Sequence, residues 1–316
     1  MRAFVTGITG FAGSFLAEHL LSERDAALGC SLHGRWDALT PSHVPQQVDL
    51  FGWDIAAPAP AAVVDRVRRF APQVIYHLAG ISLPQRCGTQ EPTPEAISVN
   101  VEGTRHVLDL AAQIDPHPRV LFVSSRYVYG GPTSSESPPA DAHRVSPQSA
   151  YGKTKLAGEQ AALAMLDSHH VESVIARAFN HTGPRQWPPL LLPQWCQQLI
   201  QGQRPLEVYN PNVWLDLCDV RDVVRAYRLL AMHGRPGAAY DVGSGSACRC
   251  GDLLAQLTAL AAPDWPLAAK TNEEQHLALA DTGAIFAETG WQAEIPLAQT
   301  LRDTWQFWVE QKKAFG

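Results

Sequence analysis

Residues 5–15 read "VTGITGFAGSF". They follow the short apolar run "RAFV" and open "AGSFLAEHLLSE", whose apolar residues recur at helical spacing. Gly7, Gly10 and Gly13 therefore fall on a strand-to-helix turn. Glycines there let the backbone turn tightly and approach a pyrophosphate, while the helix N-terminus behind them faces the negative charge. With strand, loop and helix all present, the stretch points to a dinucleotide site, against the plainer reading of an ordinary tight turn. It puts Gly7, Thr9, Gly10, Phe11, Ala12 and Gly13 on the cofactor side.

The same alternation continues downstream. "ALGCSL", "QVIYHLAG", "RVLFVSS" and "VESVIARAF" read as strands. "AAVVDRVRRF", "EAISVNVEGTRHVLDLAAQ" and "SAYGKTKLAGEQAALAMLDSH" read as helices between them. Near-continuous apolar strands separated by helices predict an α/β fold, a doubly wound parallel sheet covered on both faces. After Asn180 the texture changes to the proline- and tryptophan-rich "NHTGPRQWPPLLLPQW". The expected division is a dinucleotide-binding domain over 1–178, with 213–237 returning to it. A smaller substrate-binding lobe then comprises 179–212 and 238–316, with helices at "CGDLLAQLTALA" and "LAQTLRDTWQFWVEQ". The ligand cleft should lie at the carboxyl ends of the strands, facing that lobe.

A net charge of −6 argues against a sequence-independent nucleic-acid binder, which needs a basic face. No apolar run approaches the ~20 residues of a membrane span, and "MRAFVTGITG" enters a strand pattern at once. A cytoplasmic protein with reduced thiols is the expectation. "CRC" at 248–250 lacks the spacing and second ligand pair of a zinc site, so no metal is expected.

The choice of nicotinamide cofactor depends on the end of the second strand. An acidic residue there would accept the ribose 2′-hydroxyl. The segment reads "GCSLHGRWD", with no carboxylate just past the strand and with Arg35 available to a 2′-phosphate. NADP is favoured over NAD; the plainer reading makes Arg35 a solvated loop charge.

"YGKTK" places Tyr151 and Lys155 four residues apart, on one face of a helix. A phenol is normally protonated, and a neighbouring ammonium favours its phenolate. The tyrosine can then exchange a proton with a substrate oxygen. A serine ending "RVLFVSS" would hydrogen-bond the same oxygen.

Gly-x-x-Gly-x-x-Gly, together with this tyrosine and lysine, resembles the short-chain dehydrogenase/reductases. The whole chain is similar to the extended members that act on nucleotide sugars. The resemblance is carried by "TGITGFAG", Asp54-Ile55, "HLAGIS", "VNVEGT", "SS…VYG", "YGKTK", "RAFNHTGPRQ", "DVRDV" and "YDVGSG". It implies adenine contact by Asp54 and Ile55, a cofactor lining by Leu78, Ala79, Gly80 and Asn100, and a nicotinamide-ribose contact by Lys155. Counting back from "VYG" selects Ser125 over Ser124 as the third member of the triad. It also implies a homodimer through two long helices per subunit, around Asn100–Gln113 and Tyr151–Met165.

"RAFNHTGPRQ" is similar to the segment of the branch containing GDP-mannose 4,6-dehydratase and GDP-4-keto-6-deoxy-mannose reductase. The resemblance implies that Asn180 contacts the sugar diphosphate; His181 is either a ligand contact or a packed neighbour. The dehydratases of the branch eliminate water with a carboxylate one or two residues after the catalytic Ser/Thr. Those positions here are Arg126 and Tyr127. A guanidinium cannot accept a proton near neutral pH, so elimination is disfavoured. Reduction needs only hydride, a proton from Tyr151 and an oxygen-polarising Ser125. The expected activity is NAD(P)-dependent reduction of a nucleotide-activated sugar, a GDP-4-keto-6-deoxy-hexose reduced at C4. The alternatives are a 4-epimerase or 4,6-dehydratase holding NAD tightly, and a non-catalytic dinucleotide-binding protein. The family's diphosphate arginine is replaced by Leu215, and Arg185 is a candidate substitute. Ser82, Ser125, Arg126, Tyr127, Asn180 and Arg185 are the substrate-side set. Trp187, Trp195, Tyr209 and Trp214 either stack on a base or sugar or pack the small lobe.

Overall fold

The computed structural model of the chain describes residues 1–131, 144–261 and 264–315. Among the described residues, thirteen strands run in chain order. They are β1 (Arg2–Thr6), β2 (Ala26–Ser31), β3 (Asp49–Gly52), β4 (Val74–His77), β5 (Arg119–Ser125), β6 (Ser173–Ala178), β7 (Asn180–Thr182), β8 (Leu206–Val208), β9 (Val213–Asp219), β10 (Ala239–Val242), β11 (Ala247–Arg249), β12 (Leu267–Ala269) and β13 (Gln275–His276). The helices are α1 (Phe11–Ser22), α2 (His43–Gln47), α3 (Ala61–Phe70), α4 (Pro94–Ala96), α5 (Gly103–Ala112), α6 (Ala150–His169), α7 (Leu191–Ile200), α8 (Val220–His233), α9 (Cys250–Ala261), α10 (Gly283–Thr289) and α11 (Leu297–Phe315).

Seven parallel strands form the main sheet in the order β10-β6-β5-β4-β1-β2-β3. Its residues alternate between two apolar layers, as the period-2 geometry of a strand requires. Ala3, Val5 and Tyr76 join α1 and α8 residues such as Leu16, Leu20, Val223 and Leu230. Phe4 and Ile75 join Val64 and Val67 of α3 and Val107 and Leu110 of α5 on the opposite face. The chain winds outward from β1 to β3, then crosses back to β4 on the other side of β1. That reversal opens a crevice at the carboxyl ends of β1 and β4.

The second sheet has the order β11-β9-β13, with β7 also paired to β9. With the short β8–β12 ladder it packs on α7, α9 and α11 around Trp195, Leu199, Leu215, Leu254 and Leu301. Here the expected division of the chain needs correction. The segment 213–237 returns only in part. β9 belongs to the small sheet, because its residues find partners in β11, β13 and β7. Only α8 covers the large sheet. Conversely β10, placed by the sequence reading in the lobe, is the seventh strand of the main sheet, beside β6.

Two further differences are local. β3 is not legible in the sequence pattern, being a four-residue edge strand with only Phe51 buried. The helix read continuously from Glu95 is α4, a π-helical turn over Ile97–Glu102, and then α5. Among the described residues, no helix is long and apolar enough to cross a membrane.

Candidate active site

The turn after β1 is built by close approach. Gly7 has φ of +70°, and a Cβ there would sit 2.7 Å from the backbone nitrogen of Ala79. A Cβ at Gly13, in the first turn of α1, would lie 2.2 Å from the Gly7 carbonyl oxygen. The turn is thus clamped between the loop after β4 and its own helix. Gly10 caps α1 with no side-chain hydrogen bond, and no acidic residue occupies the first turn. The first amides of α1 are left for an anion, and the glycines leave room for one. This shape fits the pyrophosphate of a dinucleotide.

The other cofactor-side candidates lie in a row at the carboxyl ends of the neighbouring strands. Leu78, Ala79 and Gly80 follow β4, and the Ala79 amide donates to Thr6 Oγ1 at 3.3 Å. Asp54 and Ile55 follow β3. Asp54 is exposed and accepts from the Ala56 amide, whereas Ile55 is buried against Gly103 of α5. Arg35, after β2, is exposed and has no ion pair among the described residues. Asn100 lies in the π-helical turn and pins the loop after β4. Its Oδ1 accepts from the Ile81 amide at 2.7 Å, and its Nδ2 donates to the Ile81 carbonyl and to Thr154 Oγ1 of α6.

Ser125, Tyr151 and Lys155 come together at the end of β5. Ser149 caps α6 by accepting from the Gly152 amide at 3.1 Å, which fixes where the helix starts and so where Tyr151 stands. Lys155 donates to the Val123 carbonyl of β5 at 2.9 Å, and its Nζ lies 5.9 Å from the Tyr151 ring centre. Burial pushes the Lys155 ammonium down to about 8, opposed by Cys87 and Glu159. Burial also raises the Tyr151 phenol, against a side-chain hydrogen bond with Ser125 that lowers it. The expectation that the ammonium would favour the phenolate is therefore not met in the protein alone. Desolvation dominates, and the tyrosine keeps its proton.

On the substrate side, Arg126 is 7% exposed. Its guanidinium lies 4.4 Å from the Tyr127 ring centre, and its Nε donates to Asn180 Oδ1 at 3.3 Å. Tyr127 meets Tyr151 edge-on, with ring centres 5.5 Å apart. Asn180, Arg126 and Tyr127 thus form one surface beside the triad. Ser82 is exposed on the loop after β4. Arg185 is engaged elsewhere: it pairs with Glu18 of α1, with its guanidinium 3.8 Å from the Phe15 ring centre. That carboxylate neutralises the charge offered for a diphosphate. Leu215 is buried in the lobe core. His181 stacks on Phe11, with ring centres 6.0 Å apart, as a packed neighbour of the glycine turn. Trp195 is core, Tyr209 is exposed, Trp187 meets Trp308, and Trp214 stacks on His276.

A model of the NAD dependent epimerase/dehydratase family matches residues 3–243. The chain belongs to this family. It is 29% identical to a GDP-6-deoxy-D-mannose reductase of Pseudomonas aeruginosa, over 97% of each chain. It is equally 29% identical to a dTDP-glucose 4,6-dehydratase of Streptomyces antibioticus, over 99% of this chain and 96% of that one. Among solved structures it resembles RMD from Pseudomonas aeruginosa complexed with NADPH. That match has a TM-score of 0.79 and 26% identity, covering 98% of this chain and 99% of the other.

The site also rests on a buried support that is not legible in the sequence. Ser124 donates to Glu159 at 2.5 Å, and Glu159 accepts from Arg177 at 2.7 and 3.0 Å. Arg177 reaches Tyr129 OH, which donates to Asp241 of β10 at 2.6 Å. Ser124 and Glu159 tie the end of β5 to α6, which carries Tyr151 and Lys155. A glutamate one turn past Lys155 on the same helix face was the available signal. His77 is likewise held between Thr6 at 2.8 Å and Thr104 at 3.0 Å, and burial lowers its pKa to about 3. Beneath the lobe, buried Asp216 accepts from Ser244 N and Oγ, Gly245 N and Ala280 N, fixing the turn after β10.

Proposed function

We propose that the chain is an NAD(P)-dependent oxidoreductase of nucleotide-activated sugars that reduces a GDP-linked 4-keto-6-deoxy-hexose at C4. The observation that carries this reading is the Ser125, Tyr151 and Lys155 cluster beside a glycine cradle, with Arg126 and Tyr127 where elimination would need a carboxylate. The reductase and NADPH-complex relatives agree with it.

Bound along Gly7–Gly13 and the loops after β2, β3 and β4, a reduced nicotinamide dinucleotide would supply the hydride. Every other part of the reaction falls to the chain. Ser125 Oγ donates to the ketone oxygen and polarises it. Tyr151, kept protonated by burial, delivers the proton to that oxygen. The Lys155 ammonium offsets the phenolate left behind. Arg35 supports NADP as the cofactor. Leu163, 36% exposed on α6, and Ile97, 43% exposed at the start of the π-helical turn that leads into α5, support a homodimer.

The test is incubation with the GDP-4-keto-6-deoxy sugar and NADPH or NADH. Reduced-nicotinamide absorbance should fall with at least one cofactor, and no loss with either would refute reduction. Protein that retains NAD through gel filtration and turns over a nucleotide sugar without added cofactor would indicate epimerisation instead.

A further inference from the structure

Arg126 presents a problem of charge. It is 93% removed from solvent, and it has no ion pair among the described residues. Its partners are neutral: Asn180, through Nε, and Tyr127, whose hydroxyl it hydrogen-bonds and whose ring its flat face covers. Among the described residues its terminal nitrogens donate to no carboxylate. Asp216 acts on it electrostatically, but both oxygens of Asp216 are taken by Ser244, Gly245 and Ala280. Burial lowers its pKa, as expected for a cation whose solvation has been lost without full replacement. A buried cation without a counter-charge destabilises a fold unless something else supplies the anion.

The position limits what that anion is. Arg126 follows Ser125 directly, so it borders the reacting oxygen, and it touches Asn180 on the substrate side. The two other candidate places for a substrate-side cation differ from this one. Leu215 is apolar and buried, and the Arg185 charge is offset by Glu18 through Nη2, with its buried Nη1 unpartnered among the described residues. A guanidinium oriented by one Nε bond still offers a fork of terminal N–H groups, which suits a phosphate or carboxylate.

We infer that Arg126 is the oxyanion-binding residue of the substrate site, completing its counter-charge with an oxyanion of the nucleotide sugar itself. The inference rests on the nucleotide-sugar reading above. Two parts of such a ligand carry this chemistry: the diphosphate, and a carboxylate on the sugar. The diphosphate is present in every substrate of the proposed class, and Asn180 stands beside it by family resemblance.

The test is calorimetric binding to wild type, Arg126→Gln and Arg126→Lys, in the whole protein. The probes are GDP and UDP, then GDP-mannose against GDP-mannuronate and UDP-glucose against UDP-glucuronate. If the diphosphate is the partner, Arg126→Gln weakens the preferred nucleoside diphosphate and its neutral sugar by about tenfold or more alike. Arg126→Lys falls between, keeping the charge but losing the fork. If a sugar carboxylate is the partner, the nucleoside diphosphate is unaffected and only the preference for the uronate disappears. Affinities within twofold of wild type for every probe would overturn the inference.

Thermal unfolding separates a binding role from a structural one. Without ligand, Arg126→Gln should melt at or above wild type, since it removes an uncompensated charge, while its ligand-induced rise in Tm shrinks. A large drop in Tm with intact binding would make Arg126 structural and also overturn the inference. Failure of wild type to bind any probe would refute the nucleotide-sugar reading. Arg126-dependent binding without ketone reduction would refute only the proposed reaction.

Discussion

Gly7→Ala is the sharpest test of the cofactor cradle. At φ +70° an alanine pays left-handed strain of roughly 1–2 kcal/mol. Its Cβ would stand 2.7 Å from Ala79 N, against the 3.4 Å of ordinary contact, so two backbone segments must part by roughly 0.7 Å. Neither can rotate away as a side chain would, and overpacking of this kind costs about 1–3 kcal/mol. The sum is about 2–5 kcal/mol, or a fall in Tm of roughly 4–10 °C for a chain this long. Gly10→Ala is the internal control. Gly10 has φ −72°, and its added Cβ would meet the Gly7 oxygen at 3.2 Å. It should cost about 1 kcal/mol or less in stability. Both variants should bind NADPH more weakly, because both put a methyl group into the pyrophosphate cradle. Differential scanning calorimetry gives the stabilities, and NADPH fluorescence titration gives the affinities. Gly7→Ala melting within 2 °C of wild type, with unchanged NADPH affinity, would refute the clamped-turn reasoning.

Other predictions follow from the same geometry. Tyr151→Phe should lower ketone reduction by about 10²-fold or more while preserving cofactor affinity, because only the transferable proton is removed; steady-state kinetics and titration check this. The rate of reduction should decline as pH rises through about 8, where Lys155 loses its charge; a pH–rate profile flat from 6 to 9 would contradict it. Glu159→Ala leaves Arg177 without its partner in a buried site and should cost about 3–5 kcal/mol by urea unfolding. His77 titrates near 3 in the fold and near 6.5 when unfolded. Its contribution to stability is therefore present above about 6.5 and is lost as pH falls, at up to about 1.4 kcal/mol per pH unit. His77→Asn should show a shallower acid limb in unfolding experiments.

The legible part of the site was the part confined to one turn or one helix. Gly7, Gly10 and Gly13 sit on a single strand-to-helix connection, and Tyr151 and Lys155 on a single helix face. The support beneath them was hidden. Ser124, Glu159, Arg177, Tyr129 and Asp241 are ordinary polar residues in sequence, and only their meeting in the interior makes them a network.

By itself the sequence determined the layered α/β class, the glycine turn after β1 and the placing of Tyr151 and Lys155 on one helix face. Those follow from burial periodicity and from steric rules acting over a few residues. Tertiary structure decided which sheet received β9 and which received β10, because a strand's partner is whatever edge the rest of the chain leaves open. It likewise decided that Arg185 pairs with Glu18, 167 positions away, while Arg126 lies buried beside Asn180 with no carboxylate bonded to it among the described residues. Two arginines that look alike in sequence differ in what the fold sets opposite them, and that opposition decides which one is paired with a carboxylate.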